Sequence, residues 1–399
     1  MCLLAPDFLP VWGGAGTYAI ELSRELARRT ELTVVTLERP HGHTTVTKAE
    51  MESALDHRAR VEVIARAVDT FRYNLRFQFA ILRTLPPLVA SERYDVIHSQ
   101  HAHMPDLLYG LVHRTPLVVR TVHSTIEGQR EGIRLAESFG GGLESSERWQ
   151  VALEPVLRTA EWSVLHRPGP LLTVSNWMRA ELVRRGVPPG RVTVVYNGVR
   201  TDRFRPDVPR VPLAPAGDGP TVLYSGRCTL LKGAGVLADA IPLIWKVIPS
   251  THFAFAGGSA KEVQALLAGR HLPLDRIHLL GRLEYGELPG VYASPDVAVA
   301  PTFSDNVPFW VLEILASGVP MVASRVGGIP EVLEDGKNGL LVPPGSAQRL
   351  ADAVVSLLND GNRRKEIGRA ARTSSEQFTW DRTASATVAW YREALHRGA

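Results

Sequence analysis

The sequence predicts an α/β protein of two doubly wound, Rossmann-like domains that face each other across a cleft. Short apolar runs alternate with amphipathic helical stretches along most of the 399 residues, and a proline-rich stretch interrupts this alternation near the middle. A chain of this length also exceeds one ordinary hydrophobic core. Repeated strand–helix units imply parallel sheets, which bind ligands at the carboxyl ends of their strands.

The first half of the chain contains apolar, β-branched runs of strand length. We expect strands at Cys2–Ala5, Leu32–Leu37, Val61–Ala65, Val96–Ser99, Leu117–Val122, Leu171–Val174 and Val192–Tyr196. An amphipathic pattern predicts a helix at Tyr18–Arg29, directly after the first strand.

Residues 71–85 have an apolar helical face with basic residues beside it. The apolar positions are Phe71, Leu75, Phe79 and Leu82, and the basic ones are Arg72 and Arg76. This spacing favours a helix packed on the sheet, with contact to a membrane surface as the alternative.

The second half repeats the same alternation. We expect strands at Thr221–Tyr224, His252–Ala256, Ile277–Leu280, Val297–Pro301, Pro320–Ala323 and Gly339–Val342. Helices are expected at Ala234–Val247 and Ala347–Leu358 between them.

A domain boundary is predicted near residues 206–219, because the sequence RPDVPRVPLAPAGDGP is rich in proline and has no periodicity. We expect one domain at 1–205 and a second at 206–379.

Composition narrows the class of protein. Apolar residues make up 45% and charged residues 22% of the chain, as in soluble globular proteins. The two cysteines, Cys2 and Cys228, indicate no disulfide framework, which favours a cytoplasmic location. Because neither a basic-then-apolar leader nor an apolar run of about 18 residues is seen, secretion and membrane spanning are not expected. The net charge of +4, without a dense basic block, argues against a nucleic-acid partner.

The segment PTFSDNVPFWVLEILASGVPMV at 301–322 carries two carboxylates eight positions apart. Asp305 falls in a turn-forming cluster and Glu313 in a helix-competent run. Pro308 fits the first turn of that helix, whose N–H groups favour an anion such as phosphate. These carboxylates are predicted to bind hydroxyls of a sugar nucleotide, the donor of a sugar. The donor site is predicted to be lined by Asn306, Val307, Pro308 and Phe309. The alternative is a helix-capping Asp plus a buried helix Glu.

Fixed cations follow the first strand of the second half. The sequence YSGRCTLLKGAG places Gly226, Arg227 and Lys232 between a strand and a helix. Two cations there can neutralise a diphosphate, whose leaving oxygen gains charge as the glycosidic bond breaks. Solvated surface cations are the alternative.

A glycine loop follows the first strand of the chain. Gly13, Gly14 and Gly16 open the first helix, where backbone N–H groups approach phosphate oxygens closely. We predict that these glycines contact the sugar-nucleotide donor. The alternative is that they form only a tight turn. The spacing does not fit G-x-G-x-x-G, although Glu38 lies near the second strand.

Histidines occur at two predicted strand ends. His123 closes PLVVRTVH, and DVIHSQHAH contains His98, His101 and His103. The spacing of these three suits no closed zinc site, so no metal is expected. They are interpreted as acceptor-side or structural groups.

Together these motifs resemble the family-4 retaining glycosyltransferases, which have the GT-B fold. The resemblance rests on acidic-x7-acidic at 305–313, G-R-x4-K-G at 226–233 and P-x2-V-x-T-x-H at 116–123. Asp305 departs from the usual Glu of that family. Further similar segments contain Asn197, assigned to the acceptor side, and Arg282 with Leu283, whose backbone is implied to receive the nucleotide base.

The resemblance implies transfer of a hexose-type sugar with retained configuration and without metal or cofactor. The donor is a UDP-, GDP- or other nucleotide-diphosphate sugar, and the acceptor is a hydroxyl compound of carbohydrate, glycoconjugate or natural-product biosynthesis. His123 is implied to lie beside the transferred sugar, and attack is implied to occur from the front face. The resemblance also implies that the domain at 1–205 is the acceptor side and the domain at 206–379 binds the donor, and that a helix at about 380–399 crosses back onto the first domain. Residues 123–170 are assigned to acceptor recognition.

Other readings remain open. A nucleotide-sugar epimerase or a phosphorylase shares the layout, and a non-catalytic sugar-nucleotide binding protein is the alternative outside catalysis. Donor sugar, base, acceptor and oligomeric state are not assigned. Peripheral contact with the inner membrane surface is an additional expectation.

Overall fold

The computed structural model describes residues 1–11, 13–41, 44–67, 73–100, 104–113, 117–139, 145–215, 218–268, 270, 272 and 274–398. Contacts divide the chain into two compact units. Unit 1 comprises Met1–Thr125, Pro155–Asn197 and Trp380–Ala399, and unit 2 comprises Ile126–Glu154 and Gly198–Thr379.

The strands are short and mostly buried. In chain order they are β1 Cys2–Leu4, β2 Leu32–Glu38, β3 Pro40–His41, β4 Thr44–Thr45, β5 Ala59–Arg66, β6 Val96–Gln100, β7 Leu117–Val122, β8 Leu171–Thr173, β9 Val192–Val194, β10 Thr221–Ser225, β11 His252–Ala256, β12 Ile277–Gly281, β13 Val297–Ala300, β14 Met321–Ser324 and β15 Leu340–Val342.

Helices separate most of these strands. They are α1 Gly14–Leu26, α2 Lys48–Ser53, α3 Tyr73–Glu92, α4 Tyr109–Val112, α5 Ile126–Glu137, α6 Ser145–Leu165, α7 Asn176–Arg184, α8 Ala234–Trp245, α9 Ala260–Ala268, α10 Leu288–Tyr292, α11 Phe309–Ala316, α12 Ile329–Val332, α13 Ala347–Asn359, α14 Gly361–Ser375 and α15 Trp380–Gly398. No helix in the described part of the chain has the length and hydropathy needed to cross a membrane.

Unit 1 is built on a seven-stranded sheet in the order β5-β2-β1-β6-β7-β8-β9, and every pairing is parallel. The first strand, β1, lies inside the sheet, and the order in which later strands are added reverses between β1 and β6. In a doubly wound sheet this reversal is where ligands bind, at the carboxyl ends of the strands.

Unit 2 is built on a six-stranded parallel sheet in the order β12-β11-β10-β13-β14-β15. Its reversal lies between β10 and β13. Val222, Phe253 and Val299 from three adjacent strands are completely buried in its core. The prediction of two Rossmann-like parallel α/β domains is confirmed.

The predicted strands agree with the structure to within two residues at each end. The unit division differs from the predicted domains, because unit 2 begins at Gly198 instead of 206 and also contains Ile126–Glu154. That insertion had been assigned to the first domain. In unit 2, the Phe139 ring lies 5.4 Å from the Phe303 ring, and Gly132 packs against Ser304.

Candidate functional site

The two donor motifs of the sequence meet at one edge of the unit 2 sheet. β10 and β13 are parallel neighbours, with Val222 opposite Val297 and Tyr224 opposite Val299. The loop 226–233 follows β10, and the loop 301–308 follows β13. Parallel neighbours end at the same edge, so both loops lie at the point where the sheet reverses its order.

Hydrogen bonds fix the loop after β10. The Tyr224 hydroxyl donates to the Arg227 carbonyl at 2.7 Å, and the Gly226 N–H donates to the Ala256 carbonyl at 2.9 Å. The Arg227 side chain is exposed, whereas that of Lys232 is 25% exposed. The backbone is therefore held while the two cationic side chains remain accessible.

The loops after β10 and β13 are joined through their backbones. The carbonyl of Leu231 accepts from the Thr302 hydroxyl at 3.0 Å and from the Phe303 N–H at 2.9 Å. Gly233, with φ +70°, precedes α8, and a Cβ there would lie 1.9 Å from the Pro301 carbonyl oxygen. Only glycine permits this approach.

Lys232 and Asp305 form an ion pair across these loops. The Lys232 Nζ lies 2.5 Å from Asp305 Oδ2, and the Asp305 side chain is 15% exposed. The other carboxylate oxygen, Oδ1, accepts from the Asn306 N–H at 3.1 Å. Each oxygen of this carboxylate thus has a named donor, and the ammonium is held at the sheet edge.

A third loop, which the sequence reasoning missed, supports Asp305. The Gly328 N–H donates to the Asp305 carbonyl at 3.3 Å. Gly327 has φ +55°, and a Cβ on it would lie 1.7 Å from that carbonyl oxygen. The signal in the sequence was the double glycine that follows β14.

The backbone entering α11 differs from the prediction by one residue. Pro308 occupies the N-cap position with an extended ψ of 140°, instead of the first helical turn. Val307 is fully buried and has φ +49°, a left-handed conformation that costs a β-branched residue on the order of 1–3 kcal/mol. Asn306 and Phe309, on either side of this turn, are half-buried.

Glu313 lies on the buried face of α11. The residue is only 5% exposed, so the alternative that it is a buried helix Glu agrees with the structure. Burial and, to a lesser extent, the nearby Glu313 carboxylate raise the pKa of Tyr292. The Tyr292 hydroxyl lies 2.8 Å from the Ser225 hydroxyl at the end of β10. Asp305, in contrast, is not the helix cap, since Pro308 holds that position.

Arg282 and Leu283 directly follow β12 at the same edge of the sheet. The Gly257 N–H donates to the Gly281 carbonyl at 2.7 Å, which ties this loop to the end of β11. Arg282 is exposed and Leu283 is half-buried. Their backbone therefore lies two strands away from the loop after β10.

In unit 1, the glycine loop forms the start of α1. Gly14 is the first helical residue and Gly13 is the N-cap, and both are exposed. Gly16 is buried, and its Cβ position lies 3.6 Å from the Asp7 Cγ. This asymmetry leaves Gly13 and Gly14 accessible, while Gly16 serves packing.

His123 lies directly after β7, as predicted. Its half-buried ring packs edge-on against Tyr18 of α1, with 4.4 Å between ring centroids. The same Tyr18 packs edge-on against Trp380 of α15 at 5.9 Å. Aromatic contacts from α1 therefore orient His123 at the carboxyl edge of the sheet.

The structure places His98, for which an acceptor-side and a structural role were both considered, in the interior of unit 1. His98 is completely buried, with Nδ1 2.5 Å from the Tyr391 hydroxyl and Nε2 2.6 Å from the Thr121 hydroxyl. Burial and, secondarily, His123 lower the pKa of His98 to about 3. A buried neutral imidazole with both nitrogens bonded is a structural group, the alternative left open above. His101 and His103 lie outside the described residues.

Asn197, assigned to the acceptor side by resemblance, is buried. It is 3% exposed and lies at the end of unit 1, where the chain passes into unit 2. The carbonyl of the preceding Tyr196 accepts from the Thr383 hydroxyl of α15 at 2.9 Å. This bond ties the end of unit 1 to its C-terminal helix.

Comparisons with known proteins agree with this architecture. The family described as Glycosyltransferase Family 4 matches residues 12–203, and the one described as Glycosyl transferases group 1 matches residues 219–360. A D-inositol 3-phosphate glycosyltransferase of Paenarthrobacter aurescens is 30% identical over 316 residues, which cover 76% of this chain and 74% of that protein.

Solved structures share the fold. Sucrose-phosphate synthase from Thermosynechococcus elongatus has a TM-score of 0.79 and 21% identity, with 100% of this chain and 99% of that chain covered. The Anabaena protein HepE, solved in complex with UDP, has a TM-score of 0.69 and 16% identity, with 98% and 99% covered. Two parallel-sheet units with these motifs and relatives show that the chain belongs to glycosyltransferase family 4 and is a glycosyltransferase of the GT-B fold.

Proposed function

We propose that this glycosyltransferase moves a hexose-type sugar from a nucleotide-diphosphate sugar to a hydroxyl acceptor, with retention of the anomeric configuration. The Lys232–Asp305 ion pair carries the proposal, because it fixes a cation and a carboxylate side by side at the carboxyl ends of β10 and β13. A structural neighbour solved with UDP supports a uridine donor as the first to test.

In this proposal unit 2 binds the donor. Lys232 and the exposed Arg227 neutralise the diphosphate, aided by the N–H groups at the start of α11. Asp305 binds hydroxyls of the transferred sugar, and Glu313 binds the ribose or the far end of the sugar. Backbone groups at Arg282 and Leu283 receive the base.

The proposed reaction balances without a protein nucleophile. The acceptor oxygen forms a bond to the anomeric carbon on the face from which the diphosphate leaves. The bond from that carbon to the phosphate oxygen breaks, and the departing phosphate takes the acceptor proton. Arg227 and Lys232 stabilise the negative charge that develops on the leaving diphosphate.

Unit 1 is proposed to contribute His123 beside the transferred sugar, and Gly13 with Gly14 at the start of α1. The Lys232 ammonium and the Arg227 guanidinium supply the positive charge that a divalent metal supplies in other transferases. We therefore propose transfer without a metal and without a cofactor.

Cys2 and Cys228 are both free thiols, which supports the proposed cytoplasmic location.

The test is a screen of nucleotide sugars against mixed hydroxyl acceptors, with released nucleoside diphosphate and product mass as readouts. NMR of the product reports the anomeric configuration, and a parallel reaction with EDTA reports metal dependence. We expect acceptor-dependent release, a retained anomer and no effect of EDTA. Conversion of the donor into an epimeric nucleotide sugar without net release of diphosphate would favour the epimerase, and a thermal shift without any reaction would favour a binding protein.

A further inference from the structure

The helices α3 and α4 and the part of α6 that belongs to unit 1 expose large apolar side chains. The residues are Leu75 and Phe79 on α3, Leu111 and Val112 on α4, and Val156 and Trp162 on α6, each between 59% and 68% exposed. These six residues are called the α3–α4–α6 surface. Several large exposed apolar groups on neighbouring elements mark an interaction site, whereas single ones need no explanation.

Hydrogen bonds show that the three helices are neighbours. Gln78 of α3 donates to the Met104 carbonyl at 2.5 Å and accepts from the Leu108 N–H at 2.9 Å, directly before α4. Arg167, two residues after α6, donates to the Asp106 carbonyl at 3.1 Å. The segment that leads into α4 is thus bonded to α3 on one side and to the end of α6 on the other.

The exposed charges of these segments are mostly basic. Within the described residues 73–92, 104–113 and 155–167, the exposed ionisable side chains are Arg76, Arg83 and Arg158, together with Glu92 at the end of α3, which pairs with Arg60 at 2.7 Å. The other acids of these segments are buried. Asp106 is 1% exposed and pairs with Arg120 at 2.8 Å, and Glu161 is 4% exposed.

We propose that the α3–α4–α6 surface docks on an anionic phospholipid bilayer. Phe79 and Trp162 enter the interface between headgroups and acyl chains, where amphipathic aromatic rings are favoured. Arg76, Arg83 and Arg158 lie at the level of the lipid phosphates. Each basic residue near an anionic leaflet adds attraction that salt screens, so apolar insertion and charge act together. This surface does not depend on the proposed chemistry of the donor site.

The experiment is co-sedimentation of the full chain with vesicles. One set contains phosphatidylcholine with roughly one-third phosphatidylglycerol, and the other contains phosphatidylcholine alone. We expect binding to the anionic set only, with release at about 0.5 M salt. The double variant Phe79→Ser/Trp162→Ser and the single variant Arg83→Glu each lower the partition coefficient, the former by at least about tenfold.

A matched control separates this surface from general stickiness. Val211→Ser/Val247→Ser removes two exposed apolar side chains of unit 2 and should bind vesicles as the wild type does. The proposal is overturned if the wild type ignores anionic vesicles, binds neutral ones equally, or loses binding equally in this control. It is also overturned if sedimentation velocity shows a dimer that Phe79→Ser/Trp162→Ser abolishes while vesicle binding is absent, because a second copy then covers the surface. Circular dichroism checks that each variant is folded.

Discussion

The Lys232 ammonium and the Asp305 carboxylate, predicted to bind different parts of a donor, contact each other at 2.5 Å. The pair links the loop after β10 to the loop after β13. The Leu231 carbonyl joins the same two loops by accepting hydrogen bonds from Thr302 and Phe303. Asp305 therefore holds the ammonium in position before a diphosphate reaches it. Preorganised charge of this kind costs no rearrangement during reaction, which is what transition-state stabilisation requires.

Replacing Lys232 by Met should lower turnover at least about tenfold, which corresponds to about 1.4 kcal/mol of transition-state stabilisation. Methionine keeps the unbranched chain but removes the charge opposite the leaving diphosphate. Lys246→Met is the matched control, since Lys246 is exposed at the far end of the same helix, α8. Steady-state rates with the donor found in the screen measure both. Wild-type turnover in the folded Lys232→Met variant would remove this residue from the proposed site.

Replacing Glu313 by Gln should also lower turnover at least about tenfold while the protein stays folded. The amide keeps the size of the side chain on α11 but removes the carboxylate that is proposed to bind donor hydroxyls. Because Glu313 is 5% exposed, thermal unfolding must be measured alongside the rate. A variant that melts earlier but turns over normally would assign Glu313 to packing alone.

The Lys232–Asp305 pair should contribute roughly 1 kcal/mol of coupling energy to the stability of unit 2. The pair is only partly buried, so solvent screens part of the attraction. A double-mutant cycle with Lys232→Met and Asp305→Asn, followed by urea unfolding, measures the coupling directly. Additive losses within about 0.3 kcal/mol would show that the pair serves the ligand and not the fold.

The strands of the two parallel sheets could be predicted from the sequence because most of them are short buried runs bounded by turn residues, whereas the two-residue strands β3 and β4 were not predicted. The geometry of the candidate site could not be predicted in the same way, because it depends on contacts between residues that are distant in the sequence. Val307 is fully buried in a left-handed conformation that its residue type does not favour, and Pro308 directly after it is the N-cap of α11. His98 stands at a strand end in the sequence, but the Tyr391 hydroxyl that reaches its ring lies 293 positions away. No local pattern contains that contact.

Gly327→Ala should destabilise the protein by at least about 2 kcal/mol and weaken donor binding. The new Cβ would lie 1.7 Å from the Asp305 carbonyl oxygen, so the loop that carries Asp305 must move. Gly336→Ala is the matched control, because Gly336 has a similar φ of +78° and nothing within 4 Å of its Cβ position. That variant should lose only about 1 kcal/mol. Equal shifts of the urea midpoint in the two variants would contradict the clash.

Acidification should lower the free energy of unfolding of the wild type more than that of a His98→Gln variant. His98 has a pKa of about 3 in the folded protein, against about 6.5 when unfolded, so below pH 6.5 the unfolded chain takes up a proton that the native one cannot. Its contribution to stability is complete above pH 6.5 and falls by up to about 1.4 kcal/mol per unit towards pH 3. Asp7, whose pKa is raised to about 6 chiefly by burial, acts in the opposite direction between about 3.8 and 6. The difference between the two proteins isolates His98. Urea unfolding at several pH values should show a steeper loss in the wild type, and parallel curves would mean that His98 is protonated in the native state.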